Sequence, residues 1–292
     1  MTSVQDAAPA RGADAAARAG GDASRLNPAP RRCAGGTPRP PRRALHALHA
    51  LGELAGLGRR LPWLLLALAP LADAGIVDGG HAPRVAVDIG HTLVAPGAVS
   101  ARGRTEFEFN RELAHAVVAS LSRLGVAGTL VNADGAIASL AARPAQAPQA
   151  GLFISIHHDS VNEWELQPWQ WAGRSETYSD RWAGHSMFVS RRNPDVRRSL
   201  LCASAIGARL QRAGFAPTDK NARRRPYADA LHAVHFYDDL VVLYRATQPA
   251  LLFEAGVIKH RDEELLLRDP RRQALMAGEI ATGIAACLSV PR

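Results

Sequence analysis

Short apolar runs and longer apolar periodicities alternate along the chain from residue 85 onward. The runs 85–89 and 152–156 are almost wholly apolar, as is typical of strands that are buried on both faces of a sheet. Between them, apolar residues recur every three or four positions over residues 107–124, which predicts an amphipathic helix that ends at Gly125. Strands that alternate with helices in this way predict an α/β fold.

The same patterns assign most of the remaining chain. Further strands are predicted at 126–131, 187–190, 240–244 and 250–254, and further helices at 134–142, 196–210, 262–268 and 271–288. Residues 159–185 show no period and are predicted to form a long surface loop, which carries the aromatic residues Trp164, Trp169, Trp171, Tyr178 and Trp182. We therefore predict a single domain with a twisted, mostly parallel or mixed central sheet that is flanked by helices on both faces.

The N-terminal part of the chain differs in composition from the rest. Residues 1–43 are rich in Ala, Gly, Pro and Arg without an apolar period, and we predict that they are disordered. Residues 44–74 have the pattern of a signal peptide: paired arginines precede the apolar run 61–71, and Ala-Asp-Ala ends at Ala74. The run is shorter than the roughly 20 residues that span a bilayer. We expect export to the periplasm by the general or the twin-arginine route and cleavage after Ala74. The catalytic domain is then 75–292, with membrane contact only through the signal peptide.

Charge and cysteine content exclude some classes of function. The net charge is +8, but residues 1–74 hold ten arginines against five acidic residues, so the excess is largely N-terminal and predicts no nucleic-acid partner. No Cys-x-x-Cys pair is present, so a thiolate zinc site or a redox motif is not supported. Cys202 and Cys287 form at most one bridge, and we interpret both as buried small residues.

Four polar residues follow or begin the predicted elements in a suggestive order. His91 and His157 come just after two buried strands, and Glu254 ends a third. Ligands of open α/β sheets bind at the carboxyl ends of the strands. Glu106 begins a helix, where a carboxylate is favourable. Two imidazoles and one carboxylate form a zinc set that keeps a fourth position for water, and a further Glu can then act as general base.

Four segments resemble the zinc-dependent N-acetylmuramoyl-L-alanine amidases of the amidase-3 type. These segments are Val87–His91, Glu106–Asn110, Ser155–Asp159 and Pro249–Gly256. The resemblance covers about residues 83–288. It implies that His91, Glu106 and His157 bind Zn²⁺, that Glu254 is catalytic, and that the substrate is peptidoglycan. It also implies that insertions after the second histidine line or block the cleft, in some members until a protein activator releases them.

The sequence departs from the family pattern beside both histidines. Thr92-Leu93 stands where the family has Gly-Gly, and His158 stands where a small residue is usual. We prefer His157 over His158 as the ligand because the Ser-Ile-His register matches. Strand alternation then directs His158 to the other side, where it is interpreted as a cleft or surface residue. Glu106 is preferred over Glu108 because it shares the buried face of the helix.

Other functions remain open on the sequence alone. The same metal set serves a zinc peptidase that acts on wall peptides, and a wall-binding amidase-like regulator without activity is the alternative from another class. Retention of all four polar positions argues against the regulator. The aromatic residues of 159–185 are interpreted either as a substrate wall or as packing of the loop on itself.

Overall fold

The computed structural model describes residues 84–291, and these contain a seven-stranded sheet and a separate two-stranded hairpin. The strands are β1 (Arg84–Ile89), β2 (Ala127–Val131), β3 (Leu152–Asp159), β4 (Gln167–Trp171), β5 (Arg174–Tyr178), β6 (Ser186–Val189), β7 (Tyr227–Asp229), β8 (Val234–Phe236) and β9 (Ala250–Val257). The helices are α1 (Glu106–Arg123), α2 (Val196–Arg212), α3 (Val241–Tyr244), α4 (Arg261–Arg268) and α5 (Pro270–Ser289). The predicted disordered segment 1–43 and signal region 44–74 lie outside the described residues.

The large sheet is mixed, with the order β2-β1-β3-β9-β6-β8-β7. Strands β2, β1, β3 and β9 are parallel, β6 runs antiparallel to β9, and β7 runs antiparallel to β8. The carboxyl ends of β1, β3 and β9 therefore meet at one edge of the sheet. In this register His157 of β3 lies beside Glu254 of β9. The predicted fold class is confirmed.

Helices cover both faces of the sheet, but unequally. Helices α1, α2 and α5 pack on one face around the strand residues Val87, Ile154 and Phe253. The opposite face carries the alternate strand residues, which pack against the single turn of α3 and nearby loops. Among the described residues, no helix is long and apolar enough to cross a membrane.

Cys202 and Cys287 form a disulfide, which corrects our interpretation of them as free buried residues. Both side chains are buried, and their Cα atoms are 5.0 Å apart. Cys202 lies on α2 and Cys287 near the end of α5, so the bond joins two helices of the same layer. A cysteine on the buried face of a helix fits the apolar period whether or not it is bonded. The apolar period therefore did not reveal that these two cysteines form a disulfide.

Two predicted elements are wrong. The helix predicted at 134–142 does not form, because the side chains of Asn132 and Asp134 accept hydrogen bonds from the amides of Ile137 and Ala136 and so compete with helical bonding. The strand predicted at 240–244 is the helical turn α3. Strand β9 is already paired on both sides, by β3 and β6, so this apolar segment covers the sheet instead.

The predicted surface loop 159–185 contains the hairpin formed by β4 and β5. Its two-residue turn, Ala172-Gly173, has φ values of +50° and +77°, as turns that match the twist of a hairpin require. The predicted strands at 85–89, 126–131, 152–156, 187–190 and 250–254 are otherwise confirmed to within a few residues, as are the helices at 107–124, 196–210, 262–268 and 271–288.

Candidate metal centre

His91 follows the end of β1 in a left-handed backbone conformation, with φ of +68°. The amide of Asn132 donates hydrogen bonds of 2.7 Å to the carbonyls of Ile89 and His91. The buried guanidinium of Arg143 donates to the same two carbonyls, at 3.1 and 2.6 Å. These donors stabilise a conformation that a β-carbon disfavours, and they fix the direction of the imidazole. Sequence reasoning missed both residues.

Glu106 is the first residue of α1, and its carboxylate is buried between two histidines. Burial would raise the pKa of Glu106, but His91 and His157 hold it well below its usual value. The rival Glu108 has another task, because its carboxylate accepts hydrogen bonds from the hydroxyl and amide of Thr105 and closes a capping box. The structure therefore brings Glu106, and not Glu108, to the two imidazoles.

The three residues form a compact donor cluster. Oε1 of Glu106 lies 3.0 Å from Nε2 of His91 and 3.0 Å from Nδ1 of His157. The two imidazole rings are 4.9 Å apart at an angle of 70°. One ligand atom from each residue lies within 4.8 Å of the others. Burial lowers the pKa of His157, which favours the neutral imidazole that a metal needs.

Two glycines make room for this cluster. A β-carbon on Gly90 would lie 2.4 Å from Nε2 of His157. A β-carbon on Gly97, where φ is +79°, would lie 2.5 Å from Oε2 of Glu106. Because real β-carbons do not approach other atoms so closely, both positions require glycine. The backbone thus forms a cradle around the donor atoms.

His158 lies on the other side of β3 and is buried, so its interpretation as a cleft or surface residue is wrong. Its Nδ1 is 2.8 Å from Oδ1 of Asn110, and its ring packs against Phe109. Burial lowers the pKa of His158 to about 3, which keeps the ring neutral. The amide of Asn110 also donates to the carbonyl of Gly90 and to Glu106, so this residue links the helix to the donor cluster.

Glu254 lies beside His157 on the adjacent strand, with its side chain on the same face of the sheet. Its Oε2 is buried and has no hydrogen-bond partner among the described residues. Burial raises the pKa of Glu254 well above its usual value, and the carboxylates of Asp159 and Glu106 act in the same direction. Lys220 opposes this shift. A carboxyl group whose pKa is raised in this way is suited to accept a proton and to return it.

A charged network that the sequence did not predict lies next to Glu254. Nζ of Lys220 is 2.8 and 2.9 Å from the two oxygens of Asp159, the last residue of β3. The amide of Asn221 donates to Asp159 and to the hydroxyl of Ser186, which pairs with Glu254 across the strands. The chain has only two lysines, and the choice of Lys220 among so many arginines was the available signal.

These features define a class of protein. Two imidazoles and a carboxylate converge at the carboxyl edge of an α/β sheet, and a second buried carboxylate lies next to them. This donor set fits a catalytic divalent metal with an open position, and the neighbouring carboxyl supplies a base. Fold and site together are those of a candidate metal-dependent hydrolase.

The chain belongs to the N-acetylmuramoyl-L-alanine amidase family, Amidase_3, whose model matches residues 85–286. It is therefore an enzyme that hydrolyses an amide bond of peptidoglycan. The catalytic domain of the amidase CwlV from Bacillus (Paenibacillus) polymyxa is similar at 25% identity and a TM-score of 0.55, over 72% of this chain and 99% of that one.

Two further solved structures share the fold. The amidase Ami1 from Mycobacterium smegmatis is 21% identical with a TM-score of 0.57, over 70% of this chain and 96% of that one. The amidase CwlD from Clostridioides difficile is 19% identical with a TM-score of 0.54, over 72% of this chain and 100% of that one. No curated protein matches this chain in sequence.

Proposed function

We propose that the chain is a zinc-dependent amidase in which His91, Glu106 and His157 hold one Zn²⁺. The observation that carries the proposal is the convergence of their ligand atoms within 4.8 Å. Two neutral imidazoles and one carboxylate are a typical set for catalytic zinc, and borderline nitrogen and oxygen donors favour it over calcium. When bound, zinc supplies Lewis-acid activation of water and of the carbonyl group.

Glu254 is the proton carrier in this proposal. Its carboxylate takes a proton from the attacking water and returns it to the departing nitrogen of L-alanine, so the bond to the lactyl carbonyl of N-acetylmuramic acid breaks. The position of Glu254 beside His157 supports this role, because the carboxyl lies next to the proposed metal. Its raised pKa fits a group that must both accept and donate a proton.

Metal analysis and product analysis test the proposal together. The purified full chain should bind one zinc per molecule and release intact stem peptide from purified wall. Glu254→Gln should keep zinc and lose hydrolysis by at least about 100-fold, the usual effect of removing a general base. Glu112→Gln is the matched control on α1 and should retain activity. Full activity of Glu254→Gln would refute the assigned role.

The products separate the amidase from its alternatives. An amidase leaves the muramic lactyl group free and the stem peptide whole, whereas a zinc peptidase on wall peptides cuts inside the stem. A non-catalytic regulator would bind wall without releasing peptide. The presence of Glu254 together with the complete donor cluster supports the enzyme.

We also propose that residues 44–74 direct export, that cleavage follows Ala74, and that residues 75–292 form the catalytic domain in the periplasm. The disulfide supports this proposal, because such bonds persist mainly in oxidising compartments. After that cleavage only Cys202 and Cys287 remain, and they are paired. Mass analysis of the protein from a periplasmic fraction should give a chain that begins at Gly75; an uncleaved cytosolic chain would contradict it.

Regulation by a protein activator is a further part of the proposal. The support is one structural neighbour, the CwlD amidase, whose structure is in complex with the GerS lipoprotein. Cell-envelope extract should raise the rate of the purified enzyme on purified wall. An unchanged rate would contradict an activator.

A further inference from the structure

A groove of about 400 Å³ lies at the open end of the hairpin, between the segment that precedes β4 and the segment that follows β5. It begins at a short helical turn, Glu163–Glu165, just after β3 ends at Asp159. Most of its lining is polar, and two aromatic rings complete it. Its lining includes Trp164, Glu165, Gln167, Tyr178 and Arg181. We call this feature the hairpin groove.

The polar groups of the hairpin groove are held in place by their neighbours. Glu165 accepts a hydrogen bond of 2.9 Å from the indole of Trp182 and lies 3.3 Å from the guanidinium of Arg181. The hydroxyl of Tyr178 donates to the side chain of Gln167 at 2.9 Å. These contacts fix the orientations of the side chains in advance, so a ligand would lose little affinity in ordering them.

The hairpin itself is anchored to the body of the domain. The indole of Trp169 donates to the carbonyl of Ala101 at 2.9 Å, and Nζ of Lys259 donates to Thr177 at 2.8 Å. Arg102, whose guanidinium lies over the Trp171 ring at 4.6 Å, is ion-paired with the buried Glu264. Since Ala101 and Arg102 belong to the loop that leads into α1, the hairpin is tied to the loop that precedes Glu106.

The groove is also linked to the catalytic edge of the sheet. Lys220 holds Asp159, and a few residues later the guanidinium of Arg224 lies 5.5 Å from the ring centre of Trp164. The segment Lys220–Arg224 therefore extends from the neighbourhood of Glu254 to the hairpin groove. A polymer that is cleaved at the metal centre would follow this segment to place its next units in the groove.

Trp164 is the feature that most needs an explanation. It is 74% exposed, although it stands at a groove whose other members are ordered by hydrogen bonds. A sugar ring presents an apolar C–H face and an edge of hydroxyl groups. The exposed indole face of Trp164 can stack on the C–H face of a sugar, and the fixed carboxylate, amide and guanidinium groups can form hydrogen bonds with its hydroxyl groups. A partner with a large apolar surface would find too little apolar area here.

We propose that the hairpin groove binds a sugar unit of the peptidoglycan glycan strand, away from the bond that is cleaved, with Trp164 as the stacking platform. This inference rests on the proposed function, and it names the part of the substrate that gives the enzyme a preference for polymeric wall. The groove is then a specificity site, and it takes no part in the chemical step.

Two substrates and three variants test the inference. Trp164→Ala should lower kcat/KM about tenfold on polymeric wall, the effect expected from losing an aromatic contact of roughly 1.4 kcal/mol. The same variant should leave kcat/KM unchanged on a soluble muramoyl-peptide that carries one sugar. Trp164→Phe should retain most of the activity on wall. Leu231→Ala, which truncates another exposed apolar residue, is the matched control and should behave as the unsubstituted enzyme.

A direct binding measurement keeps the inference separate from the proposed reaction. Calorimetric titration with a tetramer of β-1,4-linked N-acetylglucosamine should show binding to Glu254→Gln that the added Trp164→Ala substitution removes. If neither substrate is cleaved, the proposed reaction fails, while retained tetramer binding that depends on Trp164 still supports the groove. Unchanged wall kinetics together with unchanged tetramer binding would overturn the inference. If the groove binds a protein partner instead of a sugar, the purified enzyme would also show unchanged wall kinetics and unchanged tetramer binding after Trp164→Ala.

Discussion

Reduction of the Cys202–Cys287 bond should lower the stability of the domain substantially. The bond connects α2 to α5, and its cysteines are 85 residues apart in sequence. A crosslink of this span restricts the unfolded chain far more than the folded one, in which the two helices already pack together. The perturbation therefore acts mainly on the unfolded state.

The loop length gives the magnitude. Chain-entropy arguments for a closed loop of this size predict a loss of roughly 4–5 kcal/mol in the free energy of unfolding at 25 °C. Total stabilities of domains are about 5–15 kcal/mol, so this loss is a large fraction of the whole. The reduced protein should unfold at a clearly lower urea concentration.

Urea denaturation of the full chain with and without reductant is the assay, in a Cys33→Ser background that removes thiol exchange from outside the described residues. The oxidised and reduced forms contain the same atoms apart from the bond, and a Cys202→Ala/Cys287→Ala variant should resemble the reduced form. Equal midpoints for the two redox forms would refute the entropic reasoning. Two free thiols in the unfolded, unreduced protein would refute the bond itself.

Three further predictions concern the metal centre and a buried histidine. Glu106→Gln should weaken zinc binding at least about tenfold in a calorimetric titration, because loss of a charged ligand costs more than loss of a contact that supports a ligand. Glu108→Gln, at the capping residue, is the control. Equal zinc affinities of the two variants would contradict the assignment of Glu106 as a ligand. Gly90→Ala should lower the free energy of unfolding by about 1–3 kcal/mol, because its β-carbon would lie 2.4 Å from His157. Gly278→Ala, in the middle of α5 where a β-carbon meets no other atom, should instead raise the free energy of unfolding by up to about 1 kcal/mol. Chemical denaturation measures both, and an unchanged stability of Gly90→Ala would contradict the close approach to His157. Burial lowers the pKa of His185 to about 4, so the unfolded state takes up the proton first as the pH falls. This residue alone should reduce the stability by roughly 3 kcal/mol between about pH 6.5 and pH 4, and the buried His158 acts in the same direction. His185→Phe should reduce the slope of the stability profile between these pH values, and an unchanged slope would assign the effect to another group.

The sequence was sufficient to predict the central strands and the main helices, because burial in the sheet and against it sets their apolar patterns. The strands that become β1, β3 and β9 are apolar on both faces, so they could be recognised without knowing their neighbours. His91 follows β1, and His157 and Glu254 lie in the carboxyl-terminal halves of β3 and β9, so strand position alone suggested that these three residues meet. The fourth site residue, Glu106, was predicted because it shares the buried face of the helix that becomes α1.

The missed features depend on contacts between distant parts of the chain. Arg143 is buried and donates hydrogen bonds to three backbone carbonyls, and no local pattern near residue 143 predicts these contacts. The pairing of Asp159 with Lys220 joins residues separated by a helix and several strands. The Cys202–Cys287 bond depends on how α2 and α5 pack. Such partners become visible only after the helices and loops are placed in space.

The alternation along β3 explains both histidines at once. His157 shares a face of the sheet with Glu254, and one residue later His158 must point to the opposite face, where α1 packs. A polar ring in that position would be destabilising without a partner, and Asn110 supplies one from α1. Because Asn110 also contacts Glu106, the side chain that accommodates the buried histidine is the one that holds the carboxylate ligand. A shift of β3 by one residue would exchange the two histidines, bury His157 against α1 and break this arrangement.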